Sequence, residues 1–561
     1  MFFGGETISS ESGVQQGDPI GPLLFALALQ PILQELFDGR SEKGLELVFS
    51  YLDDMILAGE QGEVARAFHF LKTAASQIGL KFNTSKCEVI PPAGQFSAIN
   101  ESLFPSDITF MKDGNFELLG GPIGAEDYCN KHTQNRVGKA SELLLALGEL
   151  PDPQVALTLL RHCASFGKLV YSLRVVPYHK HKVALKNYDN SVRDCIESFL
   201  SCTFTDSEWS LANLSTKMGG LGLRNVENHG SAAFLSSQAS CHELCARLDP
   251  KYKWDTSDMS TDCYAALREY NTRVEPSDRL PAIDSCPRQQ TLSQAIDRQN
   301  LKTFTETFNS IQMKAHLNLT TSSGAGAWLN AIPSKALGTY MDPILYKTAI
   351  QRWLRLPLFE SEFHCPFCDE VVDRFGDHCI TCSCGGDRTK RHNLIRNEVF
   401  HFCQSAGLNP ELERPGLLQA RPLDGSSQEN GAERDSNSNR RPADVYLPKW
   451  RRGTPAALDL AVTSGLRRDM MERSAENGSI AVTMYENKKR MYLDTESICR
   501  EEGIQFIPLI CEADGGGWGP AAHSVWSELA KYKSTLTGEP NSITAMHLLQ
   551  SLGLILHKEN A

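Results

Sequence analysis

Apolar and polar positions follow different patterns in different parts of the chain. Residues 47–59 (LVFSYLDDMILAG) form an apolar run, a tip with two acids and a second apolar run, which is typical of a β-hairpin. Residues 140–147 and 155–173 carry apolar residues at helical spacing, and similar patterns continue through most of residues 201–355. Apolar strands are predicted again late in the chain, as in residues 504–513. These patterns predict a multidomain protein with α+β and α/β parts and a helical middle.

Length and charge restrict the classes of protein to which this chain can belong. At 561 residues the chain is too long for one hydrophobic core, so several domains are expected. The formal net charge is −12 and the pI is about 5.7, which argues against a uniformly basic nucleic-acid-binding surface. Binding of nucleic acid is therefore expected only at local basic clusters.

The chain carries no recognisable membrane or export signal. No apolar run approaches the roughly 20 residues of a membrane span, and the N-terminus lacks a basic segment followed by an apolar one. We therefore expect an intracellular protein without a membrane partner. Its seventeen cysteines would then lie in a reducing compartment, where closely spaced Cys and His residues favour metal binding over disulfides.

Four segments in the first 125 residues resemble successive motifs of reverse transcriptases. The segment Gln16-Gly17-Asp18-Pro19 is similar to motif B, the tip Tyr51-Leu52-Asp53-Asp54 to motif C, and residues 80–90 to motif D. Residues 116–124 are similar to the step that follows motif D. This resemblance implies a polymerase palm in which Gln16 and Gly17 approach the nucleic acid and Tyr51 supports the primer end.

The same resemblance implies a magnesium site at the hairpin tip. Polymerase chemistry uses two divalent ions roughly 3.5–4 Å apart, and Mg²⁺ prefers carboxylate oxygens. Asp53 would hold the metal, with Asp54 beside it. The family also needs an Asp in motif A, upstream of motif B, and fingers that bind the triphosphate. Because the chain begins just before motif B, we expect no polymerase activity from it alone and a missing N-terminal part as a partner.

A cysteine-rich segment is predicted to bind zinc. Cys365 and Cys368 are paired in a Cys-x-x-Cys spacing, and His378 and Cys382 follow after a short loop. Paired ligands on both sides of a short loop are what a closed, structural tetrahedral zinc site requires. Cys379 and Cys384 remain alternative fourth ligands.

Two acids in apolar strands predict a second divalent-ion site. Asp444 lies in residues 441–447 (RPADVYL) and Asp459 in residues 456–462 (AALDLAV). An Asp among apolar neighbours is costly to bury unless it has a partner or a metal. Glu413 is a possible additional ligand.

Two acids followed by a Lys later in the chain resemble the set of active-site residues in the PD-(D/E)xK nucleases. The order of a zinc knuckle, Arg391-His392-Asn393 and this constellation resembles the C-terminal half of site-specific non-LTR retrotransposons with a restriction-like endonuclease. The resemblance implies that Asp444 and Asp459 hold Mg²⁺ and that Lys488 orients the attacking water. Ala461 stands where the superfamily usually has its Lys, so the Lys must come from the helix, and Lys489 is the rival to Lys488.

The basic clusters near these motifs are the predicted contacts to target DNA and element RNA. They comprise Arg388, Lys390, Arg391, His392, Arg451 and Arg452. The basic segment 179–186 either binds nucleic acid or is a solvated helix end. By the resemblance the protein would work in the nucleus, as a DNA-nicking enzyme or as a catalytically silent nucleic-acid-binding remnant.

The predicted domains follow one another along the chain: a partial palm at 1–125, a helical thumb at 126–200, a helical connector at 201–355, a zinc knuckle at 360–392, an endonuclease at 393–540 with a mobile loop at 423–439, and a tail at 541–561.

Overall fold

The structure is a computed structural model of the whole chain. It describes residues 2–3, 6–7, 17–38, 45–91, 99–249, 252–255, 257–284, 286–307, 310–418 and 442–561, and for residues 2–3 and 6–7 only the backbone. The predicted loop at 423–439 and the predicted contact residue Gln16 lie outside these ranges.

The first region combines two long helices with small two-stranded sheets. Its elements are β1 (Phe2–Phe3), β2 (Glu6–Thr7), α1 (Gly21–Asp38), β3 (Leu45–Tyr51), β4 (Asp54–Gly59), α2 (Gln61–Gln77), β5 (Glu88–Val89), β6 (Thr109–Phe110), β7 (Phe116–Leu118) and β8 (Gly121–Ile123). β3 and β4 form the antiparallel hairpin expected from the apolar pattern. Leu36 of α1, Leu45 of β3 and Leu71 of α2 form its small core.

The middle of the chain is helical, as its pattern predicts. Its helices are α3 (Glu126–Gly148), α4 (Pro153–Leu159), α5 (Phe166–Val175), α6 (Lys182–Leu200), α7 (Asp206–Asn213), α8 (Val226–Leu248), α9 (Asp262–Thr272), α10 (Gln289–Thr307), α11 (Ile311–Thr320) and α12 (Pro343–Trp353). Leu144, Tyr188 and Trp353 lie in one hydrophobic core, so the predicted thumb and connector pack together. Among the described residues, no helix combines the length and apolar character needed to cross a membrane.

A short hairpin and a one-turn helix build the cysteine-rich segment. The hairpin pairs β9 (Phe363–His364) with β10 (Val371–Val372), and α13 (Asp377–Thr381) follows it.

The C-terminal region packs helices on both faces of a four-stranded sheet. Its elements are α14 (Asp387–Ser405), β11 (Glu411–Leu412), β12 (Val445–Leu447), β13 (Ala456–Thr463), α15 (Met471–Glu476), α16 (Ile480–Met491), α17 (Thr495–Glu501), β14 (Gln505–Glu512), α18 (Pro520–Thr537) and α19 (Asn541–Asn560). The strand order is β11-β12-β13-β14, with antiparallel pairs except the parallel β13–β14 pair.

The alternation of side chains along β13 determines on which face of the sheet Asp459 lies. Leu458 and Leu460 point into a core shared with α14, α18 and α19. Ala457 and Ala461 pack on the opposite side, under α17 and α16 respectively. Because side chains alternate along a strand, Asp459 lies on the face covered by α16.

Residues 541–561, predicted as a tail, form helix α19 of this region instead. Leu548, Leu552 and Leu556 pack into the same core as Trp526, and Leu554 reaches the core of the helical middle. The last helix is therefore a structural part of both regions.

Helix α11 of the middle region docks closely on the C-terminal region. A methyl group at Gly478 would overlap the carbonyl oxygen of Asn318, and one at Gly515 would overlap that of Leu319. The side-chain amide of Asn318 donates to the carbonyls of Ser474 and Ala475 at 3.1 and 2.8 Å. Glycine allows this approach because it has no Cβ.

Candidate functional site

The hairpin tip presents its two acids to solvent. Tyr51 pairs with Asp54, so Leu52 and Asp53 form the turn, and Leu52 has a φ of +56°. Asp53 and Asp54 are exposed, as are Tyr51 and Gly17. Within the described ranges, no third carboxylate joins Asp53 and Asp54 in a cluster tight enough to share one ion.

The structure brings the four predicted zinc ligands together. The ligand atoms of Cys365, Cys368, His378 and Cys382 all lie within 4.8 Å of one another. The Sγ atoms of Cys365 and Cys382 are 4.0 Å apart, and those of Cys368 and Cys382 are 3.9 Å apart. A tetrahedral zinc ion with Zn–S bonds of about 2.3 Å holds its sulfurs roughly 3.8 Å apart. The donor set and its spacing therefore fit Zn²⁺.

The positions of the cysteines also favour Cys382 over the two alternative fourth ligands. Cys379 and Cys384 are exposed and lie outside the cluster that contains Cys382. Hydrogen bonding, first from the backbone N–H of Phe367, lowers the pKa of Cys365 to about 7. A thiolate at neutral pH is the form that binds metal.

Two arginines at the end of the middle region hold the cysteine-rich segment. The guanidinium of Arg355 donates to both carboxylate oxygens of Asp377, at 2.6 and 2.7 Å. Arg352 donates to the carbonyl of Phe375 at 3.1 Å and lies 3.7 Å from the carboxylate of Asp514. Arg352 thus links the segment, α12 and the loop after β14, and Arg355 adds a second bond to the segment.

The two acids of the predicted nuclease lie beside each other in the sheet. Asp444 directly precedes β12, and its N–H donates to the carbonyl of Leu458 at 2.9 Å. Its carboxylate accepts the N–H of Leu460 at 2.6 Å, so its bonds go to the residues on either side of Asp459. Burial raises the pKa of Asp459, and the neighbouring Asp444 raises it further, whereas Lys489 and His392 oppose the shift.

Lys489, and not the predicted Lys488, reaches these acids. The Nζ of Lys489 lies 2.9 Å from Oδ2 and 3.2 Å from Oδ1 of Asp459. Lys488 is exposed, and its Nζ lies 5.8 Å from the ring centroid of Tyr485. Successive residues of a helix point about 100° apart, so only one of the two can face β13. Burial alone would lower the pKa of Lys489, but Asp459 outweighs it and the net shift is upward.

His392 contacts the acids and was expected instead to face phosphates. Its Nε2 lies 3.3 Å from Oδ2 of Asp444 and 3.1 Å from the carbonyl oxygen of Leu460. The hydrogen bond to Asp444 is the main reason that the pKa of His392 is raised. The sequence offers no signal for this contact, because α14 and β12 are separated by a long segment.

Part of the predicted nucleic-acid surface is structural. Arg391 is buried and donates to the side chain of Asn560 at 2.5 Å and to the carbonyl of Ile380 at 3.2 Å, so it cannot face phosphates. Lys390 forms an ion pair with Glu559 at 2.8 Å. Arg388 remains exposed.

The other predicted basic contacts divide in the same way. Arg452 is exposed, whereas Arg451 is half-buried and donates to the carbonyl and hydroxyl of Ser524 at 2.9 and 2.8 Å. In the segment 179–186, Lys180 forms an ion pair with Asp262 at 2.9 Å, and His181 is fully buried.

Glu413, the possible additional ligand, is close to the acids through its backbone. Its N–H donates to the carbonyl of Asp444 at 3.1 Å. Its carboxylate forms a salt bridge with Arg396. The Glu413 carboxylate is therefore paired with a cation, and its backbone lies beside Asp444.

Comparison with known proteins points to a retroelement. Residues 2–121 match the family described as reverse transcriptase (RNA-dependent DNA polymerase). Over 221 residues the chain is 24% identical to the retrotransposable element SLACS 132 kDa protein of Trypanosoma brucei gambiense. That alignment covers 39% of this chain and 18% of the relative. Both matches support a reverse-transcriptase-like retroelement protein, and the mixture of helices with small sheets is consistent with an α+β protein of several parts.

Proposed function

We propose that the C-terminal region, residues 387–561, is a magnesium-dependent DNA endonuclease of the restriction type within a reverse-transcriptase-like retroelement protein. The observation that carries this proposal is the meeting of Asp444, Asp459 and Lys489 on one face of the sheet. Two adjacent, half-buried carboxylates are the hard oxygen donors that Mg²⁺ prefers.

Each residue of this site has a distinct task. Asp444 and Asp459 would hold Mg²⁺, which when bound polarises the phosphate and activates water. Lys489 is kept protonated by Asp459 and places a positive charge where negative charge develops on the phosphate. His392 is a positioning residue, because its contacts with Asp444 and with the carbonyl of Leu460 fix the first acid against β13.

The test is the nicking of supercoiled plasmid in the presence of Mg²⁺. We expect nicking by the wild-type chain and its loss, by at least about 100-fold, in Asp459→Ala, since removal of a metal-holding carboxylate weakens both binding and charge stabilisation. Asp469→Ala is the matched control, because Asp469 is exposed and forms its ion pair with Arg467, two residues away. Equal nicking by wild type and Asp459→Ala would refute the proposal. Salt-sensitive binding without any cleavage would indicate a silent binding remnant.

We further propose that Cys365, Cys368, His378 and Cys382 bind a structural Zn²⁺. The support is the Cys₃His donor set, which fills all four tetrahedral positions and leaves none for a substrate. Such a small segment has little core of its own, so the metal would supply much of its folding free energy.

We also propose that this chain does not extend a primer by itself. The hairpin supplies Asp53 and Asp54, and two acids on one turn cannot clamp both ions and a triphosphate. Target DNA and element RNA are the proposed partners. Primer extension on an RNA template by this chain alone would refute the polymerase part of the proposal.

A further inference from the structure

A groove of about 600 Å³ lies along the first half of β14. Its walls come from the end of α16, from α17, from the turn before β13 and from the first turns of α18. Arg451, Arg490 and Arg500 line it, together with Glu496, Gln505 and Ser524. We call it the arginine groove.

The arginine groove is basic in a chain that is acidic. Three arginines and a single acid, Glu496, are the charged residues of its lining, while the whole chain has a net charge of −12. Arg500 is exposed and forms no ion pair with any residue in the described part of the chain. Guanidinium groups bind phosphate through paired N–H donors, so three of them in one groove favour a phosphate-bearing polymer.

Two of the three arginines are held in place by contacts within the protein. Arg490 forms an ion pair with Glu496 at 2.7 Å. Arg451 donates to Ser524 and lies 3.9 Å from the carboxylate of Glu528. Such contacts orient the guanidinium groups and leave other N–H donors on each of them. The guanidinium groups are therefore held at the groove with N–H donors left for a phosphate, for which Glu496 competes at Arg490.

The groove lies next to the acid cluster. Helix α16 carries Lys489, which contacts Asp459, and directly after it Arg490, which lines the groove. Gln505 pairs with Ala456, three residues before Asp459 on β13. Ile507, which also lines the groove, pairs with Leu458, the residue directly before Asp459. At about 3.3 Å per strand residue, the strand part of the groove therefore spans from roughly 3 Å to roughly 10 Å along the sheet from Asp459. The far end is about three nucleotide steps of a DNA strand away, at roughly 3.4 Å each.

We propose that the arginine groove binds the phosphodiester backbone of the substrate DNA strand, within about three nucleotides of the bond that is cut. This inference rests on the proposed nuclease, because it uses Asp459 as the point of cleavage. Arg490 and Arg500 contact phosphates directly, and Glu496 limits the affinity by competing for Arg490.

The experiment measures DNA binding by the full chain as a function of salt concentration. For the double variant Arg490→Gln/Arg500→Gln, the slope of log affinity against log salt should fall by about two, since each phosphate contact contributes about 0.9. Arg247→Gln, at an exposed position of α8, is the matched control and should leave the slope unchanged. Nicking by the double variant at about 0.15 M salt should fall 10-fold or more through KM, because positioning contacts act on binding.

A variant with the opposite sign separates recognition from structural damage. Glu496→Gln removes the acid from the groove and should tighten DNA binding several-fold, whereas damage to the fold would weaken it. An unchanged slope in the double variant overturns the inference while leaving the nuclease intact, provided that wild type nicks. If wild type does not nick but the slope still falls, the nuclease proposal fails and the groove remains a DNA-binding surface. A slope change for RNA without one for DNA overturns the inference.

Discussion

At the scale of single residues, the choice between two adjacent lysines decides the chemistry. Lys489→Ala should lower the single-turnover nicking rate by about 100-fold or more, because Lys489 contacts Asp459 and supplies the charge at the site. Lys488→Ala should stay within about threefold of wild type, because Lys488 is exposed over Tyr485. The reverse ranking would show that α16 is rotated relative to β13.

The same residues show what a linear pattern can and cannot predict. The spacing of acids and cysteines was enough to select Asp444, Asp459 and the Cys₃His set, which the structure brings into two clusters. The pattern could not separate Lys488 from Lys489, since both are polar and only helix rotation distinguishes them. It also placed Arg391 on the surface, because its partner Asn560 is 169 positions away.

At the scale of elements, the contact between α11 and the C-terminal region can be tested by one methyl group. Gly478→Ala should lower the free energy of unfolding by about 3 kcal/mol, because the new Cβ would overlap the carbonyl oxygen of Asn318. Gly138→Ala is the control, since Gly138 is an exposed position inside α3 with open space around it. That control should be neutral or stabilising by about 0.5–1 kcal/mol. Urea unfolding of both variants measures the difference, and equal stabilities would contradict the contact.

Apolar periodicity predicted whether a segment is a helix or a strand more reliably than it predicted which elements pack together. The β3–β4 hairpin, the helical middle and strands β13 and β14 lie where their apolar patterns place them. Helix α19 was predicted as a tail, because its apolar residues match surfaces that come together only in the fold. Trp328, which stacks on His557 of α19, is distant from this helix in the sequence. Trp526, which shares a core with α19, belongs to α18.

At the scale of the whole molecule, buried histidines make stability depend on pH. Burial lowers the pKa of His181 to about 3, of His316 to about 4 and of His557 to about 3. The unfolded chain takes up these protons near pH 6.5 and the folded chain does not, so each histidine reduces stability as pH falls below about 6.5. Burial also raises the pKa of Asp189 to about 7 and of Glu512 to about 8, which acts in the opposite direction.

Comparison of wild type with His557→Phe isolates the contribution of one buried histidine to this pH dependence. His557 is stacked on Trp328 with 4.4 Å between ring centroids, and Phe fits a similar volume. In His557→Phe, the loss of unfolding free energy between pH 6 and pH 5 should be smaller than in wild type by up to about 1.4 kcal/mol. Chemical unfolding at each pH provides the measurement. Parallel pH profiles for the two proteins would mean that His557 is protonated in the folded chain.

The close seating of α11 also determines where this polypeptide can be divided. A fragment beginning at residue 393, the boundary that the order of motifs invites, would lose the helix that covers Gly478 and Gly515 and would expose Leu466 to water. Such a fragment is expected to precipitate on expression. A nuclease domain transferred to another protein would therefore have to include helix α11.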